Sequence, residues 1–259
     1  MEFTFYKYQG TGNDFVLIDN RQQFFPKNNT KLVRQLCDRK FGIGADGLIL
    51  LELHPTANFS MVYYNADGNL SSMCGNGGRC IAHFAKQLGI IKTNATFEAV
   101  DGLHQATIKG NTISLKMNDV NKVYIDEDHS FVHTGSPHHV QLVSGLDTYN
   151  VFAEGKSIRN ARYGKEGANI NFVESNGNDI FSVRTYERGV EDETLSCGTG
   201  VTAVALALYE TGLTSTNEVT LKTPGGMLQV TFDKTATGYK NIWLIGPAKQ
   251  VYKGIWSDE

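Results

Sequence analysis

The sequence predicts an α+β protein of two pseudo-symmetric domains, each a mostly antiparallel β-barrel-like sheet around a central helix, with an active site in the cleft between them. Three features predict it. Strand-like runs dominate the 259 residues. Helices are few, and the two long apolar ones open on near-identical turns, Cys74-Gly75-Asn76-Gly77 and Cys197-Gly198-Thr199-Gly200. The residues flanking those turns also match, at a common offset of 123 from position 74 to position 197.

The elements follow from alternation and turn chemistry. Phe3–Tyr8, Phe15–Asp19, Leu48–Leu53 and Phe59–Tyr64 are strands rich in aromatic and β-branched residues. Between the second and third, Thr30 caps a helix over Lys31–Lys40 that Gly42 ends. The first cysteine helix carries Ile81, Ala82, Ala85 and Leu88 on one apolar stripe and closes at Gly89. Strands Ala95–Val100, Leu103–Ile108 and Thr112–Met117 complete the first half. The second half offers strands His139–Val143, Ile170–Glu174, Ile180–Tyr186, Glu218–Lys222, Leu228–Phe232 and Ile242–Ile245, with a helix over Glu154–Tyr163. Its cysteine helix is Ala-rich through Thr202–Leu208, which predicts burial on most sides, and it closes at Gly212. Short connections favour antiparallel pairing.

The internal match is longer than the four-residue turns. Ile81 falls on Val204, Ala85 on Leu208 and Gly89 on Gly212. Phe59-Ser60-Met61-Val62-Tyr63-Tyr64-Asn65 precedes the first cysteine as Phe181-Ser182-Val183-Arg184-Thr185-Tyr186-Glu187 precedes the second. A weaker echo sets Gly12-Asn13-Asp14-Phe15-Val16 against Asn169-Ile170-Asn171-Phe172-Val173. Three blocks in one order predict two homologous halves. The expected domains are residues 1–118 with 249–259, and residues 119–248.

Composition excludes several classes. A net charge of −3, with no basic run or aromatic-basic motif, points away from nucleic acid. No apolar stretch nears the roughly 20 residues that span a bilayer, so no membrane partner is expected. Met1–Tyr8 reads as a strand and not a targeting segment, which predicts a cytoplasmic setting with reduced thiols. The four cysteines, at 37, 74, 80 and 197, show no metal-finger spacing. Cys37 and Cys80 fall on apolar helix faces and read as core. His138 and His139 point to opposite faces of a strand, so no metal is expected there. Asp126-Glu127-Asp128 and Glu191-Asp192-Glu193 read as solvated loops.

A cysteine at a helix start meets unpaired N–H groups and the positive end of the helix dipole, which favour its thiolate. Two such cysteines suggest a pair in which a thiolate takes a proton and a thiol gives one. Cys197 is expected as base and Cys74 as acid in one direction, with the roles exchanged in reverse. The N–H groups of Gly75, Asn76, Gly198 and Thr199 are placed to receive an anionic group.

At this point the motifs identify a resemblance. Gly10-Thr11-Gly12-Asn13-Asp14-Phe15, Tyr64-Asn65-Ala66-Asp67-Gly68, Cys74-Gly75-Asn76-Gly77-Gly78-Arg79-Cys80, Pro137-His138, Asn169, Tyr186-Glu187-Arg188-Gly189, Cys197-Gly198-Thr199-Gly200 and Pro224-Gly225-Gly226 run over essentially the whole chain. In that order they resemble the diaminopimelate epimerases, which are cofactor-independent amino-acid racemases. The resemblance implies interconversion of LL- and meso-2,6-diaminoheptanedioate in lysine and cell-wall precursor synthesis, and commonly a homodimer. It implies that Asn13, Asn65, Asn169 and Arg188 hold the substrate's far end. It further implies that Glu187 meets an ammonium group and, with His138, tunes the thiols. Gly47 stands where some members carry glutamine, and Ser136 where many carry asparagine, which bears on substrate identity. Three other readings stay open: a related racemase of proline, histidine or glutamate, a thiol redox switch, and a binding protein without catalysis.

Overall fold

A computed structural model describes residues 1–71, 73–177 and 179–257. The chain divides into two compact units, Met1–Leu115 with Gly246–Glu259, and Lys116–Ile245. The first unit holds β1 (Glu2–Gly10), β2 (Asn13–Asp19), α1 (Thr30–Cys37), β3 (Gly47–Glu52), β4 (Phe59–Asn65), α2 (Gly75–Gln87), β5 (Asn94–Ala99), β6 (Gly102–Lys109) and β7 (Thr112–Lys116). The second holds β8 (Val123–Ile125), β9 (Ser130–His133), β10 (Pro137–Leu142), α3 (Val151–Tyr163), β11 (Asn169–Ser175), β12 (Ile180–Glu187), β13 (Asp192–Thr194), α4 (Gly198–Glu210), β14 (Glu218–Thr223), β15 (Gly226–Thr235) and β16 (Gly238–Pro247). The last strand, β17 (Lys249–Ser257), pairs antiparallel with β1.

Each unit repeats one pairing scheme. In the first, β17–β1 and β1–β2 are antiparallel, β2–β3 parallel, β3–β4 antiparallel, β4–β5 parallel, and β5–β6 and β6–β7 antiparallel. In the second, β8–β9 and β9–β10 are antiparallel, β10–β11 parallel, β11–β12 antiparallel, β12–β14 parallel, and β14–β15 and β15–β16 antiparallel. The C-terminal strand therefore supplies to the first unit what β8 supplies to the second. The fold is mostly antiparallel, as predicted, and the parallel pairs lie where a helix makes the crossover that parallel strands require. α1 and α3 bridge one such pair in each unit, and α2 and α4 the other.

The scheme corrects the weakest of the sequence matches. β2 corresponds to β10, and β3 to β11. The Gly12–Val16 echo at Asn169–Val173 therefore compares strands that occupy different places, and the shared run of Asp14-Phe15-Val16 and Asn171-Phe172-Val173 produced it. The register instead sets Gly47 against Asn65 in the first unit, and the equivalent first residue of β11 and last residue of β12 are Asn169 and Glu187.

Each sheet wraps a helix. α2 packs on β17, β1, β2, β3 and β6, and α4 on β8, β9, β10, β11, β14 and β15. β3 is buried along its whole length because it has helices on both faces. Leu48 and Leu50 join Leu32, Val33 and Leu36 of α1, while Ile49 lies on the α2 side, beside Gly77. α4 is buried from Gly200 through Leu208, as its composition predicts. Burying each of its Val and Leu side chains stabilises the unit by about 1.5–3 kcal/mol. Matching ends close both central helices: Gly89 and Gly212 have φ +74°, and Ile90 and Leu213 donate back to Ala85 and Leu208, each at 3.0 Å.

The smaller helices start and stop away from their expected places. Asn29, not Thr30, caps α1 by accepting from Leu32 N at 3.0 Å. α1 ends at Cys37 because the Asp38 carboxylate accepts from Lys40 N and Phe41 N, drawing the chain into a turn before Gly42. α3 begins at Val151 because Asn150 caps Ala153 N. Glu191-Asp192-Glu193 is not a solvated loop: Asp192–Thr194 pairs with β12, and Glu193 binds Arg184 at 2.7 Å. Among the described residues, no helix is long and apolar enough to cross a membrane.

Candidate active site

Cys74 and Cys197 are the N-cap residues of α2 and α4. Both have extended backbones, with φ −99° and −119°, and neither side chain caps its own helix. The next residues are small, so each sulfur lies at a start whose first N–H groups have no intrahelical partner. Gly200 is fixed by close approach: a Cβ there would sit 2.5 Å from Asn171 Oδ1 and 3.3 Å from Cys197 Sγ. Cys74 is half-buried and Cys197 is 8% exposed.

In the first unit, the turn between β1 and β2 and the start of α2 share one hydrogen-bonded network. Buried Asn76 donates through Nδ2 to Asn13 Oδ1, and Asn13 Nδ2 donates to Asp46 Oδ2 at 2.9 Å. Arg79 Nη2 donates to Asn76 Oδ1 at 3.0 Å and to Thr11 Oγ1 at 2.9 Å. Beyond Asn13 stand two carboxylates and two cations. Asp14 meets Lys7 and Arg39, each at 2.7 Å, and Arg39 also meets Asp46 at 2.7 Å. Burial pushes the Asp14 carboxyl up, but bonds and charge from Arg39 and Lys7 outweigh it and hold the group at about 2. Asn65 ends β4 with its side chain exposed.

In the second unit, the network is neutral. His138 on β10 is fully buried. Asn171 Nδ2 donates to the His139 carbonyl at 2.8 Å, which fixes the amide, and lies 3.2 Å from His138 Nδ1. Nδ1 therefore accepts, and Nε2 carries the proton that it donates to Thr199 Oγ1 at 2.9 Å. The Thr199 hydroxyl hydrogen is then directed to Cys197 Sγ at 3.5 Å. Burial, with help from His133 and Arg188, lowers His138 to about 3, so the ring is neutral at pH 7. His138 thus orients a donor at Cys197 and is not itself a proton carrier.

Asn169 is 3% exposed. Its Nδ2 donates to Ser136 Oγ at 2.9 Å, and its Oδ1 accepts from Arg188 N at 2.9 Å. The side chain therefore ties the residue before Pro137 to the turn after β12. Glu187 accepts from Thr194 Oγ1 at 2.9 Å. Arg188 is exposed, donates through Nη1 to the Glu166 carbonyl at 3.0 Å, and pairs with no carboxylate among the described residues.

The first unit thus gathers Cys74, Gly75, Asn76 and Asn13, and the second gathers Cys197, Gly198, Thr199, His138 and Asn169, with Glu187 and Arg188 at the adjoining end of β12. Sequence reasoning missed the roles of Arg79, Asn171 and Tyr63. Arg79 carried a signal, a charge three residues before Ala82 on the buried face of α2. Tyr63 explains Gly47: a Cβ at that position would lie 2.5 Å from the Tyr63 ring and 2.5 Å from the Tyr64 carbonyl. The tyrosine fills the space that a longer side chain at position 47 would need.

The remaining cysteines sit in the core, and burial pushes both Cys37 and Cys80 up to about 12. Asp126, Asp128 and His129 bring ligand atoms within 4.8 Å of one another. They are a poor metal cradle, because Asp128 already meets His129 and Arg162 at an exposed hairpin tip.

Residues 5–123 and 130–251 match the diaminopimelate epimerase family. The diaminopimelate epimerase of Flavobacterium psychrophilum is 57% identical over 250 residues, covering 96% of this chain and 98% of that protein. That of Chlorobaculum tepidum is 44% identical, covering 95% and 98%. Solved structures share the fold at low identity. A PhzF-family phenazine biosynthesis protein of Bacillus anthracis superposes with a TM-score of 0.78 at 14% identity, covering both chains fully. A probable proline racemase of Agrobacterium radiobacter gives 0.69 at 15%, covering 99% of this chain and 92% of that one. The chain belongs to the diaminopimelate epimerase family.

Proposed function

We propose that the protein is a diaminopimelate epimerase, an isomerase that interconverts LL- and meso-2,6-diaminoheptanedioate through Cys74 and Cys197 without a cofactor. The observation that carries this reading is the placement of two cysteines as N-caps of topologically equivalent helices. Inverting the α-carbon removes its proton on one face and delivers another on the opposite face. One sulfur takes the proton as thiolate, while the other gives its proton as thiol, and the pair ends with the charge exchanged between them. The roles reverse for the other isomer. Because the two thiols titrate as a pair, the pH dependence of turnover belongs to both.

As the α-proton leaves, negative charge develops on the adjoining carboxylate. Backbone N–H groups of Gly75, Asn76, Gly198 and Thr199 are suited to meet it, and such donors commonly contribute about 3 kcal/mol each to the transition state. No lysine adduct or metal is required to delocalise the charge. The guanidinium of Arg188 suits the far carboxylate, and Glu187 an ammonium group. Asn13 and Asn65 complete the set from the first unit, while buried Asn169 holds Ser136 and Arg188 in place. The family name supports a place in lysine biosynthesis, in a compartment that keeps both thiols reduced, with a homodimer as the proposed assembly.

Purified protein with LL-diaminopimelate and no added cofactor should form the meso isomer. Cys74→Ser and Cys197→Ser should each abolish turnover while remaining folded. Full activity in either variant, or inversion of proline, histidine or glutamate in preference to diaminopimelate, would overturn the assignment.

A further inference from the structure

Arg79 is the group that the proposed reaction leaves unused. It is fully buried, and the acceptors it meets among the described residues are neutral. Nη2 binds Thr11 Oγ1 at 2.9 Å and Asn76 Oδ1 at 3.0 Å, Nη1 reaches the Gly75 carbonyl at 3.5 Å, and Nε the Pro247 carbonyl at 3.4 Å. Among the described residues, no carboxylate pairs with it. A buried cation without a counter-ion costs several kcal/mol, so an anion forming close to it is strongly favoured.

In the ligand-free chain, the anion is identified by elimination among the protein's own groups. The side chain folds back from the second turn of α2 to its first residue, so its charge adds to the dipole at the end that Cys74 caps. The ionisable groups acting on it are Cys80 and Cys74. Cys80, sealed in the core, keeps its proton. The next charges, Asp46, Asp14, Lys7 and Arg39, lie beyond Asn76 and Asn13 and balance one another. The equivalent position in α4 is Thr202, whose hydroxyl bonds to its own helix at Gly198 O, 2.9 Å away. Beside Cys197 stand a threonine hydroxyl and, behind it, a neutral histidine, with the exposed Arg188 acting on that histidine, whereas the start that Cys74 caps has a fully buried cation.

We infer that Arg79 is a positioning residue that holds the resting negative charge on Cys74, so that the ligand-free enzyme carries a Cys74 thiolate and a Cys197 thiol. The inference rests on the two-thiol reading for its catalytic consequence: a substrate isomer presenting its α-proton to Cys74 meets a base already formed. The other isomer binds productively only after the proton has moved between sulfurs.

The test reads each thiol alone, by the rate of iodoacetamide alkylation against pH in Cys197→Ser and in Cys74→Ser, with Arg79 intact. Cys74 is expected to titrate at least one pKa unit below Cys197, which makes its alkylation roughly tenfold faster near pH 6. In the Cys197→Ser background, Arg79→Met should move the Cys74 titration up by about a unit and Arg79→Lys should restore most of it. In the Cys74→Ser background, Arg79→Met should leave the Cys197 titration unmoved. Cys197 titrating at or below Cys74 would overturn the inference even if Arg79→Met failed to fold, as would an equal shift of both thiols by Arg79→Met. Epimerase activity plays no part in this readout. Reversed thiol order with activity intact sinks the Arg79 assignment alone, while correct order without activity sinks the epimerase reading.

Discussion

The two helix starts share a backbone and differ in what stands behind it. Cys74 is half-buried, backed by the Arg79 guanidinium and joined through Asn76 and Asn13 to a cluster of four charges. Cys197 is more deeply buried and is backed by Thr199 and neutral His138. Repetition of a fold reproduced the N-cap, the small residues after it and the closing glycine. It did not reproduce the surroundings, and those distinguish two otherwise equivalent sulfurs.

Predictions that could break this comparison begin with the sulfurs. Cys74→Ser and Cys197→Ser should each lower kcat/KM roughly a thousandfold or more, measured by meso-isomer formation. A large loss in one alone would mean that the halves do not share the chemistry. The next contrast is Gly47 against Asn169, at equivalent register positions. Gly47→Ala drives a methyl into Tyr63 and the Tyr64 carbonyl and should cost about 1–3 kcal/mol of stability in denaturant unfolding. Asn169→Ala removes a tie and should cost about 1–3 kcal/mol, with KM raised more than kcat falls as Arg188 is released.

Acid response separates the units. Asp14 titrates below its ordinary value, so its contribution, on the order of 2 kcal/mol, is complete above about pH 4 and is lost as pH falls through about 2. Asp14→Asn should therefore destabilise the protein at pH 7 and lose that effect in strong acid. His138 and His139 are held neutral, lowered by burial to about 3 and about 4, so protonation favours the unfolded chain. Stability should fall as pH drops from about 6.5 toward 4, and His138→Asn should flatten that slope. The smallest effect sharpens the role of His138. His138→Phe should lower kcat about tenfold by freeing Thr199, while the wild-type pH profile shows no limb from this histidine between pH 5 and 8.

Much of this was legible in the residues. The strands and both central helices followed from alternation, and the offset of 123 exposed the repeat. The strands that escaped were β8, β9 and β13, too short to show a period, and β17, exposed along most of its length. At the site, residue types revealed the cysteines and their helix starts. They could not reveal that Asn169 spends its amide on Ser136 and Arg188, that Tyr63 excludes a side chain at position 47, or that no carboxylate among the described residues pairs with Arg79. Each of those depends on which neighbours the sheet delivers, and that is set by long-range register.

The most direct test of the two-sulfur account is isotope transfer from heavy water at low conversion. Newly formed product should carry deuterium at the inverted carbon, while remaining substrate stays protiated, because the proton lost to one sulfur is replaced from the other. Product that retains the original proton, or substrate that exchanges faster than product forms, would show one group serving both faces and would contradict the account.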